Sequence, residues 1–136
     1  MSRSITCILA TVLLLAGTTV SAHHGTGISY DNSTLITSTA TVTAFDYRNP
    51  HVRVFFDTKD DKGRLKHWSG EMANPGQYER AGWGKKRTMD ELKPGTVITI
   101  SYWLSKAEEN LPADVGAALV VRIRNGKNER VLLDRQ

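Results

Sequence analysis

From Leu35 to Tyr47 the chain alternates β-branched and small residues, with Ala40, Val42 and Ala44 on one face and Thr41, Thr43 and Phe45 on the other. Branching at Cβ suits a pleated strand and crowds a helical turn, so a period of two in such residues predicts a long strand. Asn49-Pro50 ends it, because proline donates no ladder hydrogen bond and holds its predecessor out of the helical region. His51 to Thr58 resumes the alternation, setting Val52, Val54 and Phe56 against His51, Arg53 and Phe55. Lys59-Asp60-Asp61-Lys62-Gly63 is a turn, and Leu65 to Met72 returns as the partner strand. A bulged turn with glycine as its left-handed residue puts Val52, Val54 and Phe56 opposite Met72, Gly70 and Trp68. The other face then carries Arg53 near Glu71 and Asp57 near His67. A slip of one residue would reverse every side chain of the return strand.

Asn74-Pro75 predicts a short helix, with Asn74 as N-cap, Pro75 in the first turn and Gly82 as the stop. Thr88-Met89-Asp90-Glu91 matches a capping box and suggests one further helical turn. Lys93-Pro94-Gly95 turns into a strand from Val97 to Leu104, with Ile98, Ile100, Tyr102 and Leu104 on one face. Ser105 to Gly116 has no clear period and reads as a loop. The chain closes with a hairpin, Ala117 to Arg124 and Glu129 to Leu133, about Asn125-Gly126, the pair favoured in two-residue turns. Six strands with one or two short helices predict a mainly β protein. The architecture expected is a small antiparallel barrel or sandwich, with an OB-like barrel among the choices.

The 136 residues suit one domain with one modest core. The N-terminus stands apart from it. Arg3, the uncharged run Ile5 to Gly17 and the small-residue exit Thr18-Thr19-Val20-Ser21-Ala22 have the three parts of a secretory signal. The run falls short of the roughly 20 apolar residues a spanning helix needs. Residues 1–22 are therefore expected to be a cleaved signal peptide and 23–136 a single β domain, periplasmic or secreted from a bacterial cell, with no membrane span in the mature form. Cys7, the one cysteine, leaves with the signal, so the mature chain has no disulfide, no thiol chemistry and no thiolate metal site. There are 18 basic residues against 14 acidic ones, and Arg3 is among the former. This modest excess is ordinary for solubility and assigns no nucleic-acid function.

Four histidines carry the chemistry. His23 and His24 become the first two residues of the mature chain, and a terminal histidine offers its amino nitrogen and ring nitrogen as a chelate. The amino group's ordinary pKa of about 7.7 to 8.0 makes it available near neutrality. Such nitrogens favour Cu(II), which prefers tetragonal nitrogen and oxygen ligands. His51, placed at a strand start by Pro50, is the candidate third nitrogen; a bond to a turn carbonyl is its plainer role. His67 reads as a cross-strand partner of Asp57. Glu71 is an oxygen ligand, an acceptor orienting a ring, or a partner of Arg53. Trp68, Trp83 and Trp103 read as packing residues, with a ligand-stacking platform as the alternative for one of them. Lys85-Lys86-Arg87 reads as a solvated loop. No nucleophile elbow, phosphate loop or zinc-protease motif occurs, so a catalytic role is the less favoured expectation.

Ala22-His23-His24, Tyr30-Asp31, Asn49-Pro50-His51, Trp68 with Glu71, Ala81-Gly82-Trp83 and Leu92-Lys93-Pro94-Gly95 together resemble a family of small exported bacterial proteins of unknown function. Members of that family run His-His-Ser, an aromatic-Asp pair, Asn-Pro-His, Trp-x-x-Glu, Gly-Trp and Leu-x-Pro-Gly-Asp. This chain differs at Gly25, Ala40 and Thr96, where serine, glycine and aspartate are usual. The resemblance implies an envelope location and a β fold, and it implies no activity. Two functions are therefore carried forward. One is a Cu(II)-binding exported protein using His23, His24 and His51, an oxidative copper enzyme being a variant of it. The other is a metal-free binding module that contacts an envelope protein or a glycan.

Overall fold

The computed structural model describes residues 26–125 and 131–134. The leader, Cys7, His23 and His24 lie outside the described residues. A four-residue helix, α1 (Thr26–Ser29), leads into β1 (Tyr30–Asp46), followed by β2 (Arg53–Lys59) and β3 (Leu65–Glu71). Two short helices, α2 (Pro75–Arg80) and α3 (Lys85–Glu91), separate β3 from β4 (Val97–Ser105). After a 3₁₀ turn at Glu108–Asn110 come β5 (Val115–Asn125) and β6 (Val131–Asp134).

The strands run in the order β3-β2-β1-β4-β5-β6, and β3 also pairs with β5. That extra ladder closes β1, β2, β3, β5 and β4 into a five-stranded barrel, leaving β6 on a flank of β5. With helices between β3 and β4, this is the Greek-key arrangement of an OB barrel. The expected small β-barrel is present, and its ladders are antiparallel except β3 with β5, which is parallel from His67↔Val115 to Glu71↔Leu119. A meander of hairpins cannot close a ring of five. The odd strand must meet a neighbour running its own way.

The β2–β3 register is the expected one, with Arg53↔Glu71, Val54↔Gly70, Phe56↔Trp68 and Asp57↔His67. Gly63 takes φ 76 in the connecting turn, a left-handed conformation that glycine adopts without a Cβ penalty. The inward residues Val54, Phe56, Ile98 and Ile100 have no exposed surface, and full burial of such a side chain stabilises by about 1.5–3 kcal/mol. Phe56 lies parallel to Trp68 at 5.9 Å, and Tyr102 tilts against Trp68 at 4.9 Å.

Three local expectations fail for identifiable reasons. A β-bulge between Val42 and Ala44 shifts the phase of β1, so Ala44 is exposed while Phe45 and Tyr47 face the core. Thr88 does not cap a helix: α3 begins at Lys85 with Gly84 as N-cap, and Thr88 is fully buried inside it, its hydroxyl donating to the Trp83 carbonyl at 3.2 Å. The last hairpin is wider than a two-residue turn allows, because Arg124 pairs with Val131; Gly126 lies outside the described residues. By contrast Asn74 caps α2 as expected, its side-chain oxygen accepting from Gln77 N at 3.0 Å. Tyr78, Trp83 and Leu92 from this helical segment join the same core as Tyr47 and Val52, and the Tyr47 hydroxyl donates to the Trp83 carbonyl at 2.9 Å. Among the described residues no helix is long and apolar enough to cross a membrane.

Candidate functional site

The β2–β3 ladder continues one step past its strands. Val52 N donates to the Ala73 carbonyl at 3.0 Å, and Met72 N donates to the Val52 carbonyl at 2.9 Å. These bonds engage the Ala73 and Val52 carbonyls and leave that of Met72 for the neighbouring side chain. His51, the residue after Pro50, fills that place, its Nδ1 lying 3.1 Å from the Met72 oxygen. The same nitrogen lies 3.1 Å from Glu71 Oε1. Two acceptors facing one ring nitrogen require it to carry the hydrogen. In the neutral ring Nε2 therefore holds the lone pair.

The carboxylate is itself held. Tyr30 donates its hydroxyl to Glu71 Oε2 at 2.9 Å, so the two oxygens of Glu71 address different partners. Arg53, opposite Glu71 in register, makes no ion pair among the described residues. The orienting role for Glu71 is the one its geometry matches. His51 remains partly open, with 42% of its side chain exposed, and Nε2 has no partner among the described residues. A histidine that donates from one nitrogen to a carboxylate and a carbonyl, with the other nitrogen free in solvent, has the arrangement of an oriented metal ligand.

His67 repeats part of this pattern. Its Nδ1 lies 2.7 Å from Asp57 Oδ1, the cross-strand pair expected. Arg53, Phe55 and Asp57 on β2 share the outer face with His67, Ser69 and Glu71 on β3, because alternate residues of a strand point the same way. Between them is a shallow depression of about 440 Å³ lined by Thr43, Phe55, Asp57, His67, Trp68, Ser69 and Val115.

Other candidates move into structural roles. Trp68 and Trp83 are buried and belong to the core; the Trp68 indole N–H donates to Thr58 Oγ1 at 2.9 Å. The basic run is helical rather than a loop: Lys86 meets Asp90 at 2.5 Å, Arg87 meets Glu91 at 2.8 Å, and the Arg87 guanidinium stacks 3.9 Å over Trp83. Among the described residues no group of three or more His, Cys, Asp or Glu could hold a metal ion. His51 thus needs donors from elsewhere to complete a coordination sphere, and the expected ones, His23 and His24, lie outside the described residues. Periodicity and spacing did not reveal Tyr30 as a member of this network. Its place in the aromatic-Asp pair quoted above was the available signal.

No curated protein and no solved structure matches the chain. The profile of a family of unknown function (DUF6152) matches residues 11–111, from the apolar N-terminal run through the first four barrel strands to the 3₁₀ turn, and the chain belongs to that family.

Proposed function

We propose that this chain is an exported, non-catalytic metal-binding protein of the bacterial envelope, holding Cu(II) through His51 Nε2 and the amino and ring nitrogens of His23, with His24 as an auxiliary. The observation that carries the reading is the orientation of His51, whose Nδ1 is committed to the Met72 carbonyl and the Glu71 carboxylate. Outer partners of this kind fix a ligand's tautomer and raise its basicity. The Tyr30–Glu71 bond adds support, because it ties the start of β1 to the same carboxylate. α1 rises about 6 Å over its four residues, and each intervening residue adds at most about 3.6 Å. The chain between Tyr30 and position 23 can thus reach at most about 20 Å, a length sufficient to reach His51. With the leader removed the chain is free of cysteine, which leaves nitrogen and oxygen donors and favours Cu(II) among the divalent ions.

The test is a Cu(II) titration against a competing chelator. Protein beginning at His23 is compared with the same protein carrying one extra N-terminal alanine and with His51→Ala. An added residue turns the amino ligand into an amide nitrogen, and the folded domain tolerates it because termini accept additions. Both changes should weaken binding at least tenfold with an unchanged melting temperature. An unchanged Kd in the extended protein would refute the terminal chelate. The depression beside Phe55 and His67 supports the second reading, a binding module for a protein or glycan, since this strand face is where barrels of this type take their ligands. That reading takes precedence if neither change alters Cu(II) binding.

A further inference from the structure

β1 changes partners midway along its length. From Thr41 onward it pairs with β2, while from Ile36 to Thr41 it pairs with β4. The β4 ladder fixes which backbone groups are used. Val42 N donates to the Thr96 carbonyl at 2.9 Å, so the even-numbered residues direct their N–H and C=O groups to β4. Thr37, Thr39 and Thr41 then direct theirs the opposite way. A close side-chain contact confirms the phase: Thr37 Oγ1 lies 2.9 Å from Ser101 Oγ, as expected where two facing residues do not exchange backbone bonds.

Thr41 meets Asp57 of β2, and there the pairing stops. A groove of about 630 Å³ then opens between Ser38–Thr41 and a far wall that includes Asp57, Lys59 and Leu65. Among the described residues nothing pairs with the outer edge of Thr37 and Thr39, and both are exposed. Leu35, Leu65 and Val97 alongside are 50%, 47% and 55% exposed.

Edges of this kind are usually blunted by lysine, proline or an inward charge. β1 has none of these: from Asn32 to Phe45 there is no charged residue and no proline. We infer that the outer edge of β1, centred on Thr37, pairs antiparallel with the same edge of a second copy of this chain. The charge pattern selects that occupant. In a two-fold antiparallel pair centred on Thr37 that residue meets its own copy and Leu35 meets Thr39 of the other chain, so a strand carrying charge of one sign would set like charges together at a cost. A neutral Thr- and Ser-rich strand meets itself without repulsion, matches its own β-branched side chains and covers Leu35.

Because the outward and inward backbone groups alternate, one substitution separates this interface from the fold. Thr39→Pro removes an N–H that faces the groove and leaves the β4 ladder whole, the setting in which strands accept proline. Thr37→Lys with Thr39→Lys places four cations across the pair and removes no backbone donor. Sedimentation equilibrium from about 1 to 100 µM, an ordinary range for weak association, measures the outcome. The parent should show a monomer–dimer equilibrium, and both variants should weaken it at least tenfold while keeping the parent's circular dichroism. If Thr39→Pro fails to fold, the double lysine variant decides. A parent that stays monomeric at the highest concentration overturns the inference, and so does a dimer that persists in the folded variants.

Discussion

Gly116 stands opposite Trp68 in the parallel ladder that closes the barrel, and replacing it with alanine tests that closure. A Cβ at this position would lie 2.4, 2.5 and 2.8 Å from Trp68 Cε3, Cζ3 and Cδ2. An ordinary carbon contact is about 3.5–4.0 Å, so the indole must retreat by roughly 1 Å. It has little room: Phe56 lies parallel on the core side, Tyr102 is 4.9 Å away, and the indole N–H is bonded to Thr58 Oγ1. Overpacking costs about 1–3 kcal/mol, and a lost hydrogen bond adds about 1 kcal/mol. The stiffer unfolded chain returns about 0.4–1 kcal/mol, and the middle of these ranges leaves a net loss of about 2–3 kcal/mol. For a domain between the size classes usually tabulated, at roughly 4 °C per kcal/mol, Tm should fall by about 8–12 °C. Thermal melts followed by near-ultraviolet circular dichroism report on the indole directly. Gly27→Ala, with nothing within 4 Å of the added carbon, is the control. A Gly116→Ala protein that melts within 2 °C of the parent, against the roughly 8 °C worked out from the overpacking cost, would refute the packing argument.

Further outcomes can be set beside this one. Burial raises the Tyr102 phenol above its ordinary pKa of about 10, with the hydrogen bond to Ser38 opposing the shift and the Glu108 charge adding to it. The folded state therefore keeps a proton that the unfolded chain loses, and stability, intact below about pH 10, should fall as pH rises toward the folded-state value. Tyr102→Phe should flatten that part of an alkaline melting series, and an unchanged slope would remove Tyr102 as its source. Asn74→Ala should cost about 1 kcal/mol by loss of the helix cap, read as a shift in urea midpoint without a change in slope; no shift would mean the Gln77 N–H finds water equally well. If His51 binds copper, Glu71→Ala should weaken it by about 10–100-fold and Tyr30→Phe by less, with intact folds by circular dichroism. Equal affinities across the three proteins would mean that the carboxylate does not orient the ring.

Much of the barrel was legible because its strands signal locally. The β2–β3 register follows from Gly63 and from matching apolar faces, and both are properties of a short stretch of chain. The bulge after Val42 was not legible, since an unbroken period of two carries the inward face from Ala40 and Val42 on to Ala44; the larger apolar surface of Phe45 and Tyr47 turns inward only because the register shifts there. Thr88 misled for a similar reason. Its side chain bonds a carbonyl inside the core, whereas the capping pattern assumes an exposed helix start. His51 and Glu71 were both visible as candidates, and even Arg53 was rightly placed opposite Glu71. The join to Tyr30 was not, because it spans 41 positions and depends on the path of the whole barrel wall.

The parallel ladder also has a kinetic consequence. β1, β2 and β3 form a meander in which each strand meets its sequence neighbour, and pairings of low sequence separation form early. His67↔Val115 to Glu71↔Leu119 joins segments separated by both helices and all of β4, so its loop closure costs more entropy than either hairpin of the meander. Glu71 occupies the final rung of that ladder. Glu71 also stands opposite Arg53 in the β2–β3 ladder, so the early meander brings the carboxylate to His51 and the closing ladder holds its strand from the other side.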